Sequence, residues 1–407
     1  MVEVRPFRGL RYSPQAVPAL GEVLCPPYDV ISQEKQAACV ARNDYNVIHL
    51  ELGEGGGGEE RYARAARTLR EWQQRGVLVR DTEPAFYLCH HHFLFQGCWH
   101  RRRGVVAAVG LAGGGIMPHE GTLLKPREDR LRLLHTTRTQ ISPIFVLYDD
   151  PSHQVAALLD RAAQGPPLVE AAVEEEKHLL WRLAQPEAVA RLGGLLGAAP
   201  LIIADGHHRF ESALAYRREQ AAAGKGAWDY AMMVLVATDD PGLVVLPVHR
   251  LVRGLEPGWL AGLEGRLAAS FEVERVPSQG MAPEALVALL GKGEIGVLGL
   301  APGWLLRLRY KGSLPPPPPP ARGSLSVNLL HGLVLEGAAG AQTVYTHEAA
   351  EAVGRLGEFQ MACLVPALSP ADIYQVARAG ERLPGKSTYF HPKLPTGLVL
   401  FPVEGQL

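Results

Sequence analysis

Apolar residues that recur with helical spacing mark several segments of the chain as amphipathic helices. In residues 59–75, apolar or small side chains return every three or four positions and stop at Gly76, which predicts a helix that ends there. Residues 126–138 begin with a proline, whose fixed φ and missing N–H suit the first helical position, and they predict a second helix. The same reasoning predicts helices over residues 152–163, 186–196 and 209–223.

Short apolar runs predict strands between these helices. Residues 85–95 and 104–111 predict a hairpin with Gln96 and Gly97 in its connection. Further strands are predicted over residues 46–52, 142–148, 168–183 (one or two strands), 200–204, 230–237 and 242–252. Residues 1–44 are rich in proline and turn residues and predict a loop. Because helices and strands are mixed with hairpins, the sequence predicts an α+β fold with mixed sheets and flanking helices.

The length of the chain predicts more than one domain. At 407 residues it is too long for one small core. We predict an N-terminal α+β region over 1–150, a central strand-loop-helix region over 151–254 and a C-terminal α+β region over 255–407. In the last region, the six prolines from 315 to 320 cannot lie inside a strand or helix. They predict an exposed polyproline II connector or a variable surface loop.

Composition and charge exclude some classes of binding partner, but they say little about the fold. Lys and Arg total 41 against 42 Asp and Glu, so no global field draws the protein to a polyanion, and nucleic acid is not an expected partner. The N-terminus lacks the apolar stretch of a secretory signal, and no run approaches the roughly 18 apolar residues that span a bilayer. The five cysteines form no CxxC pair. We therefore expect a cytoplasmic protein with reduced thiols, a small-molecule substrate and no membrane partner. The sequence predicts no oligomeric state.

The densest group of chemically active side chains is Asp205-Gly206-His207-His208-Arg209, directly after a short apolar strand. Gly206 permits a tight turn, the following helix offers free N–H groups, and Arg209 can bind phosphate oxygens through two bonds. We therefore predict that Gly206, His208 and Arg209 bind phosphate or a nucleotide, with Asp205 and His207 as catalytic residues. The alternative is structural, with Asp205 capping the helix, the histidines bonded locally and Arg209 paired on the surface.

A second polar loop, residues 118–122, leads into the helix predicted over 126–138. Glu120 is a candidate second acid or Mg²⁺ ligand, and His119 could neutralise phosphate charge. An ordinary capped, charged helix start would give the same pattern.

A third polar loop lies near the C-terminus, where Gly385-Lys386-Ser387-Thr388 is similar to the end of a P-loop. Gly380 and Gly385 have the spacing of the P-loop motif, but no apolar strand leads into this segment as a P-loop requires, so we reject a P-loop. We predict instead that Lys386, Ser387, Thr388 and Lys393 bind substrate or phosphate.

Apart from Glu120 as a candidate Mg²⁺ ligand, no metal-binding residues are predicted. His207 and His208 are adjacent, so they cannot meet one ion as an i, i+4 pair on a helix would. The run His90-His91-His92 lies on a predicted strand, where neighbouring side chains face opposite sides, and it predicts exposed strand surface.

Together these motifs resemble the domain of unknown function 1015 (DUF 1015) family over nearly the whole chain. The resemblance rests on residues 5–7, 25–30, 118–120, 129–130, 204–209, 386–390 and 392–393. The loop 205–209 is also similar to one in free serine kinases of the ParB and sulfiredoxin superfamily, where it lines a nucleotide-phosphate site. This likeness implies a ParB/sulfiredoxin-like core and a role in serine metabolism. It also implies that Asp205, His207, His208 and Arg209 handle phosphate.

The leading hypothesis is a kinase-type phosphotransferase that moves phosphate from a nucleotide or pyrophosphate to a small hydroxylated metabolite, with serine as the named acceptor. Arg209, the helix terminus and Mg²⁺ would supply positioning and charge neutralisation, while Asp205 or Glu120 would deprotonate the hydroxyl. A phosphatase would use the same parts with water as the nucleophile. A ParB-like nucleotide-binding regulator or DNA-binding protein is a further alternative, which the near-neutral charge disfavours. A purely structural protein is disfavoured by three polar loops rich in acids, bases and guanidinium groups.

Overall fold

Helices and strands alternate along the computed structural model, which describes residues 1–53, 58–121, 124–312, 323–338, 340–405 and 407. The helices are α1 Gln33–Arg42, α2 Ile48–Glu51, α3 Glu59–Gln74, α4 Leu124–Thr137, α5 Gln154–Ala162, α6 Pro186–Ala198, α7 His207–Gln220, α8 Pro257–Ala261, α9 Leu263–Ser270, α10 Pro283–Ala288, α11 Ser326–Leu329, α12 Ala349–Gly354 and α13 Pro370–Arg378. Short 3-10 and π segments, among them Tyr28–Val30 and Leu330–Val334, accompany them.

The strands fall into two large sheets and several short pairs. They are β1 Val4–Arg5, β2 Leu10–Tyr12, β3 Leu78–Arg80, β4 Phe86–Phe95, β5 Cys98–Gly110, β6 Ile116–Pro118, β7 Thr139–Gln140, β8 Ile144–Tyr148, β9 Val169–Val173, β10 Glu176–Leu183, β11 Leu201–Asp205, β12 Tyr230–Ala237, β13 Val244–Leu246, β14 His249–Arg253, β15 Phe271–Pro277, β16 Glu294–Leu298, β17 Trp304–Tyr310, β18 Gln342–Thr346, β19 Met361–Leu364, β20 Tyr389–His391 and β21 Phe401–Pro402. Mixed sheets with flanking helices confirm the predicted α+β class.

The chain forms two compact units. The first comprises residues 1–118, 122–244 and 392–407, and the second comprises 119–121 and 245–391. These units do not follow the boundaries that we predicted at residues 150 and 254. Strands on both sides of residue 150 share one sheet, since β12 pairs with β5 and β8.

The first unit is built on a nine-stranded mixed sheet with the order β6-β11-β8-β12-β5-β4-β10-β9, to which β1 adds on β5. Parallel pairing occurs between β11 and β6 and between β12 and β8. The strands in the middle are buried almost throughout, as their apolar runs predicted. Strand β11 is among them, so the loop that follows it leaves the sheet from a rigid base.

The second unit contains a six-stranded sheet with the order β15-β17-β16-β19-β14-β18. Its neighbouring strands pair antiparallel. Helices α10 and α12 cover one face, where Leu286, Ala352 and Phe359 pack with strand residues such as Leu251 and Leu364. The prolines at 315–320 lie outside the described residues.

Three local predictions were wrong, and each has a physical reason. Residues 46–52 form helix α2 rather than a strand, because the Asn46 side chain accepts a hydrogen bond from the Ile48 N–H and turns the chain. The segment up to residue 44 contains helix α1, whose N-cap Ser32 accepts from the Lys35 N–H. The strand predicted over 242–252 is divided into β13 and β14 around a proline, which lacks the N–H that a ladder needs.

Candidate active site

The loop 205–209 leaves β11 through a bend that the sequence encodes at Gly206. The pairing of β11 with β8 shifts register between Ile203 and Asp205, and such a bulge redirects the side chain that follows. Gly206 then adopts a φ of 91°, a left-handed conformation that L residues rarely adopt. A Cβ at this position would lie 3.0 Å from Nε of Arg209. Helix α7 begins at His207 with no side-chain cap, so the alternative in which Asp205 caps the helix is wrong.

Asp205 lies between two cations. Its Oδ1 accepts a hydrogen bond of 2.6 Å from Nζ of Lys393, and its Oδ2 accepts one of 2.6 Å from a terminal nitrogen of Arg209. Burial works to raise the pKa of Asp205, but the charges of Lys393 and Arg209 outweigh it and hold that pKa well below its usual range. A carboxylate in this state is a weak proton acceptor, which argues against Asp205 as the general base.

Arg209 is held in place by the protein itself. One terminal nitrogen donates to the Pro143 carbonyl and the other to Asp205, while Nε is buried without a hydrogen-bond partner among the described residues. The Arg209 side chain is 11% exposed and that of Lys393 is 13% exposed. Two cations therefore share one carboxylate at a site that solvent still reaches.

A second buried ion pair lies in the same unit. Glu51, 2% exposed, accepts from Arg130 at 2.9 Å and from the Ser142 hydroxyl at 2.7 Å. Arg130 also donates to Asp129, and its guanidinium lies 4.1 Å from the centre of the Tyr28 ring. Sequence reasoning missed Glu51, because it lies in the segment read as a strand. The signal in the sequence that pointed to this ion pair was the family resemblance, which rests in part on Asp129 and Arg130.

Tyr28 connects the two ion pairs electrostatically. Burial raises its pKa to about 12, against the opposing effect of Arg209 and Arg130. Tyr28 is therefore a neutral phenol at physiological pH and can donate a hydrogen bond. The sequence predicted only a loop for the segment around Tyr28, yet this residue contributes to the environment of Arg209.

The cavity beside these groups is small. Glu51, Arg130, Ser142 and Arg209 are among its lining residues, and its volume is about 40 Å³. That volume fits one or two water molecules rather than a nucleotide.

The two histidines of the loop differ in their surroundings. His207 is 9% exposed, and its interaction with Asp205 contributes to the lowered pKa of that carboxyl. His208 is half-buried, and its carbonyl accepts from the Ser212 hydroxyl at 2.8 Å. Their assignment to catalysis and phosphate binding stays a prediction.

The remaining predicted site residues gather in the second unit, where Glu120 meets the loop 386–388. The Glu120 carboxylate accepts from the backbone N–H groups of Lys386, Ser387 and Thr388 and from the Thr388 hydroxyl. His119 is fully buried, with Nε2 at 3.1 Å from the Thr388 hydroxyl. Thr122, the last residue of the polar loop 118–122, lies outside the described residues. The structure thus gives two clusters, Asp205 with Arg209 and Lys393, and Glu120 with His119 and residues 386–388.

We predicted that the histidine run on β4 forms exposed strand surface, and this prediction was wrong. His90 and His91 are 6% and 4% exposed, because β4 lies inside the sheet between β5 and β10. His91, Glu176 and His178 bring one potential metal ligand each to within 4.8 Å of one another. Arg102, however, lies 2.9 Å from Nδ1 of His91 and can only donate there, so the ring must carry its proton on Nε2, which faces Glu176 at 2.7 Å. That proton occupies the position a metal would need.

The same Arg102 supports Lys393. It is 2% exposed, and the nitrogen that reaches His91 also donates to the Pro392 carbonyl at 2.8 Å. This bond fixes the peptide directly before Lys393. The position of the Lys393 side chain on Asp205 is therefore supported from the core of the sheet.

The fold and the charged cluster define an α+β protein with a strand-loop-helix motif whose carboxylate is bonded to two cations. A family model described as "Protein of unknown function (DUF1015)" matches residues 4–311, and the chain belongs to this family. No match was found among curated proteins. None of the helices in the described residues is both long and apolar enough to cross a membrane.

Three solved structures are similar to parts of this chain. A conserved hypothetical protein from Pyrococcus furiosus is 15% identical with a TM-score of 0.36, covering 71% of this chain and 92% of its own. A free serine kinase in complex with AMP is 14% identical with a TM-score of 0.38, covering 71% and 88%. SbnI with a C-terminal truncation, from Staphylococcus aureus, is 13% identical with a TM-score of 0.37, covering 73% and 87%. At these values the likeness carries no argument about what this chain does.

Proposed function

We propose that the protein is a kinase-type phosphotransferase that binds the phosphates of a nucleotide or pyrophosphate at the start of α7 and transfers phosphate to a small hydroxylated metabolite. The observation that carries the proposal is the sharing of Asp205 by Lys393 and Arg209. Two positive charges on one carboxylate, at the positive end of a helix dipole, favour a further anion.

The roles follow from the contacts. Arg209 and Lys393 bind phosphate oxygens, because each can keep Asp205 as a second partner while it does so. Asp205 orients the two cations, because each of its carboxylate oxygens accepts a hydrogen bond from one of them. The assignment of Glu120 to catalysis stays a prediction.

The carboxylates of this cluster do not fit a Mg²⁺ ion of their own. Both oxygens of Asp205 accept from cations, and Glu51 accepts from Arg130 and Ser142. Mg²⁺ prefers oxygen ligands and keeps several waters, so an ion at this site would have to depend on the phosphates of the donor.

The test compares donor binding in wild type, Arg209→Ala and the matched control Arg217→Ala. Arg217 lies on the same helix and pairs with Asp229 at 2.9 Å, away from the loop 205–209. Losing one charge-assisted contact should weaken binding of ATP, ADP or pyrophosphate by about 1.5–3 kcal/mol in Arg209→Ala and leave it unchanged in the control. Calorimetric titration measures both.

A transfer assay then identifies the reaction. Labelled donor is incubated with and without serine or another hydroxylated acceptor, and phosphate is followed into product. Transfer that requires the acceptor supports the proposal, whereas release to water alone identifies a phosphatase. Donor affinity that is equal in wild type and Arg209→Ala would remove the phosphate site from α7.

A further inference from the structure

The loop 386–388 holds the Glu120 carboxylate as a backbone cradle would hold an anion. The Lys386 N–H donates to Oε2 at 3.2 Å, while the N–H groups of Ser387 and Thr388 donate to Oε1 at 3.0 and 3.2 Å. The Thr388 hydroxyl adds a fourth bond to Oε1 at 3.0 Å. Successive backbone N–H groups that converge in this way form a nest, a concavity that binds anions.

The local sequence explains why these N–H groups converge. Lys386 adopts a φ of 58°, the left-handed conformation that a nest requires at one of its residues. The Ser387 hydroxyl donates to the Pro384 carbonyl at 2.5 Å and closes the turn. The turn of the loop therefore has a support of its own, apart from the bonds to Glu120.

A buried arginine fixes the loop from the other side. Arg250 is 1% exposed and donates to the Lys386 carbonyl at 3.2 Å. Because that carbonyl is turned towards Arg250, the following Ser387 N–H of the same peptide faces Glu120. His119, with Nε2 at 3.1 Å from the Thr388 hydroxyl, is placed to donate to that oxygen while the hydroxyl donates to Glu120.

We propose that the loop 386–388 is an anion-binding site for the carboxylate or phosphate group of a small molecule, and that Glu120 occupies it when no such molecule is bound. The Glu120 carboxylate is exchangeable because only hydrogen bonds hold it in the loop, and a carboxylate or phosphate group of a small molecule can accept the same bonds. This site belongs to the second unit and its binding does not depend on the phosphotransfer proposed at α7.

Glu120 competes with a free anion because it is tethered. A tethered group acts at an effective concentration on the order of millimolar, so a free anion binds the wild-type loop only weakly. Removing the carboxylate should vacate the site without dismantling it, since the loop is held by Ser387, Pro384 and Arg250.

The experiment titrates acetate and inorganic phosphate into the full chain of wild type, Glu120→Ala and Glu120→Gln, with calorimetry and thermal unfolding as readouts. Glu120→Ala should bind one of the two anions on the order of tenfold more tightly than wild type, with a rise in Tm that saturates. The anion that binds more tightly identifies the ligand as a carboxylate or a phosphate. Glu284→Ala, at an exposed position of α10, is the control for the change in charge and should show no gain.

Adding Thr388→Val to Glu120→Ala should weaken the new binding several-fold, because it removes one donor and keeps the backbone. If Glu120→Ala fails to fold, Glu120→Gln decides, since its amide keeps the size and loses the charge. The proposal is overturned if a folded Glu120 variant binds neither anion more tightly than Glu284→Ala does, or if Thr388→Val has no effect. Arg209→Ala should leave this binding intact, which separates it from the proposed function.

Discussion

Replacing Asp205 by Asn tests whether the two cations depend on the carboxylate between them. The amide can accept from one cation but presents an NH₂ group to the other, so one buried charge loses its partner. Removing one partner of a buried pair costs about 3–5 kcal/mol, and a single charge-assisted hydrogen bond contributes about 1.5–3 kcal/mol. Because the Asp205 side chain is 17% exposed, we expect a loss of about 3 kcal/mol in the free energy of unfolding at pH 7.

The sign of the pH dependence follows from the lowered pKa of Asp205. A carboxyl whose pKa is depressed by folding stabilises the protein above its unfolded-state pKa of about 4, and this stability declines as the pH falls below that value. The difference in the free energy of unfolding between wild type and Asp205→Asn should therefore reach its full value at pH 7 and be smaller at pH 3. Above pH 5 it should be constant.

Denaturant unfolding followed by circular dichroism at several pH values measures this difference. Asp229→Asn is the matched control, because Asp229 pairs with one arginine only and its side chain is 25% exposed. It should cost about 1 kcal/mol or less. Equal stability of Asp205→Asn and wild type at pH 7, or a difference that does not shrink in acid, would refute the role that we assign to the Lys393 and Arg209 charges.

Two further substitutions test the geometry around this cluster. Gly206→Ala should lower the free energy of unfolding by about 1–2 kcal/mol, because Gly206 has a left-handed φ and a Cβ would meet Arg209. Thermal unfolding measures this loss. An unchanged Tm would show that the chain does not need a glycine at this bend. Glu51→Gln should cost about 2–3 kcal/mol, because Glu51 is the buried partner of Arg130, whereas Glu71→Gln, in an exposed pair on α3, should cost about 0.5 kcal/mol or less. Equal costs in these two variants would show that burial does not strengthen the Glu51 contact.

Elements with a strong repeating pattern were predictable from the sequence. Helix α3 lies at Glu59–Gln74, within one residue of its prediction, because its buried residues recur with the helical period. Strand β12 matches its prediction over Tyr230–Ala237, and the strand-loop-helix motif at residue 205 is present as expected. In these segments local pattern and tertiary burial agree.

The contacts of the candidate site were less predictable, because they join residues that are distant along the chain. Lys393 and Asp205 are separated by 188 positions, and Arg130 and Glu51 by 79. Neither pair has a spacing that sequence can reveal. Arg102 illustrates a weaker signal, since it lies between two other arginines on β5 and alone is deeply buried. Only strand alternation distinguishes it from its neighbours.

The order of residues in the two units has a consequence for how the protein is made. The first unit is interrupted in sequence by the second, and it is completed by a segment that begins at residue 392. At about 5–20 residues per second, the ribosome needs on the order of ten seconds to synthesise the roughly 150 intervening residues. During that time Asp205 and Arg209 are already present while Lys393 is not. The nascent first unit therefore lacks one of the two cations that share Asp205, and it acquires the complete charge arrangement only after Lys393 has been synthesised.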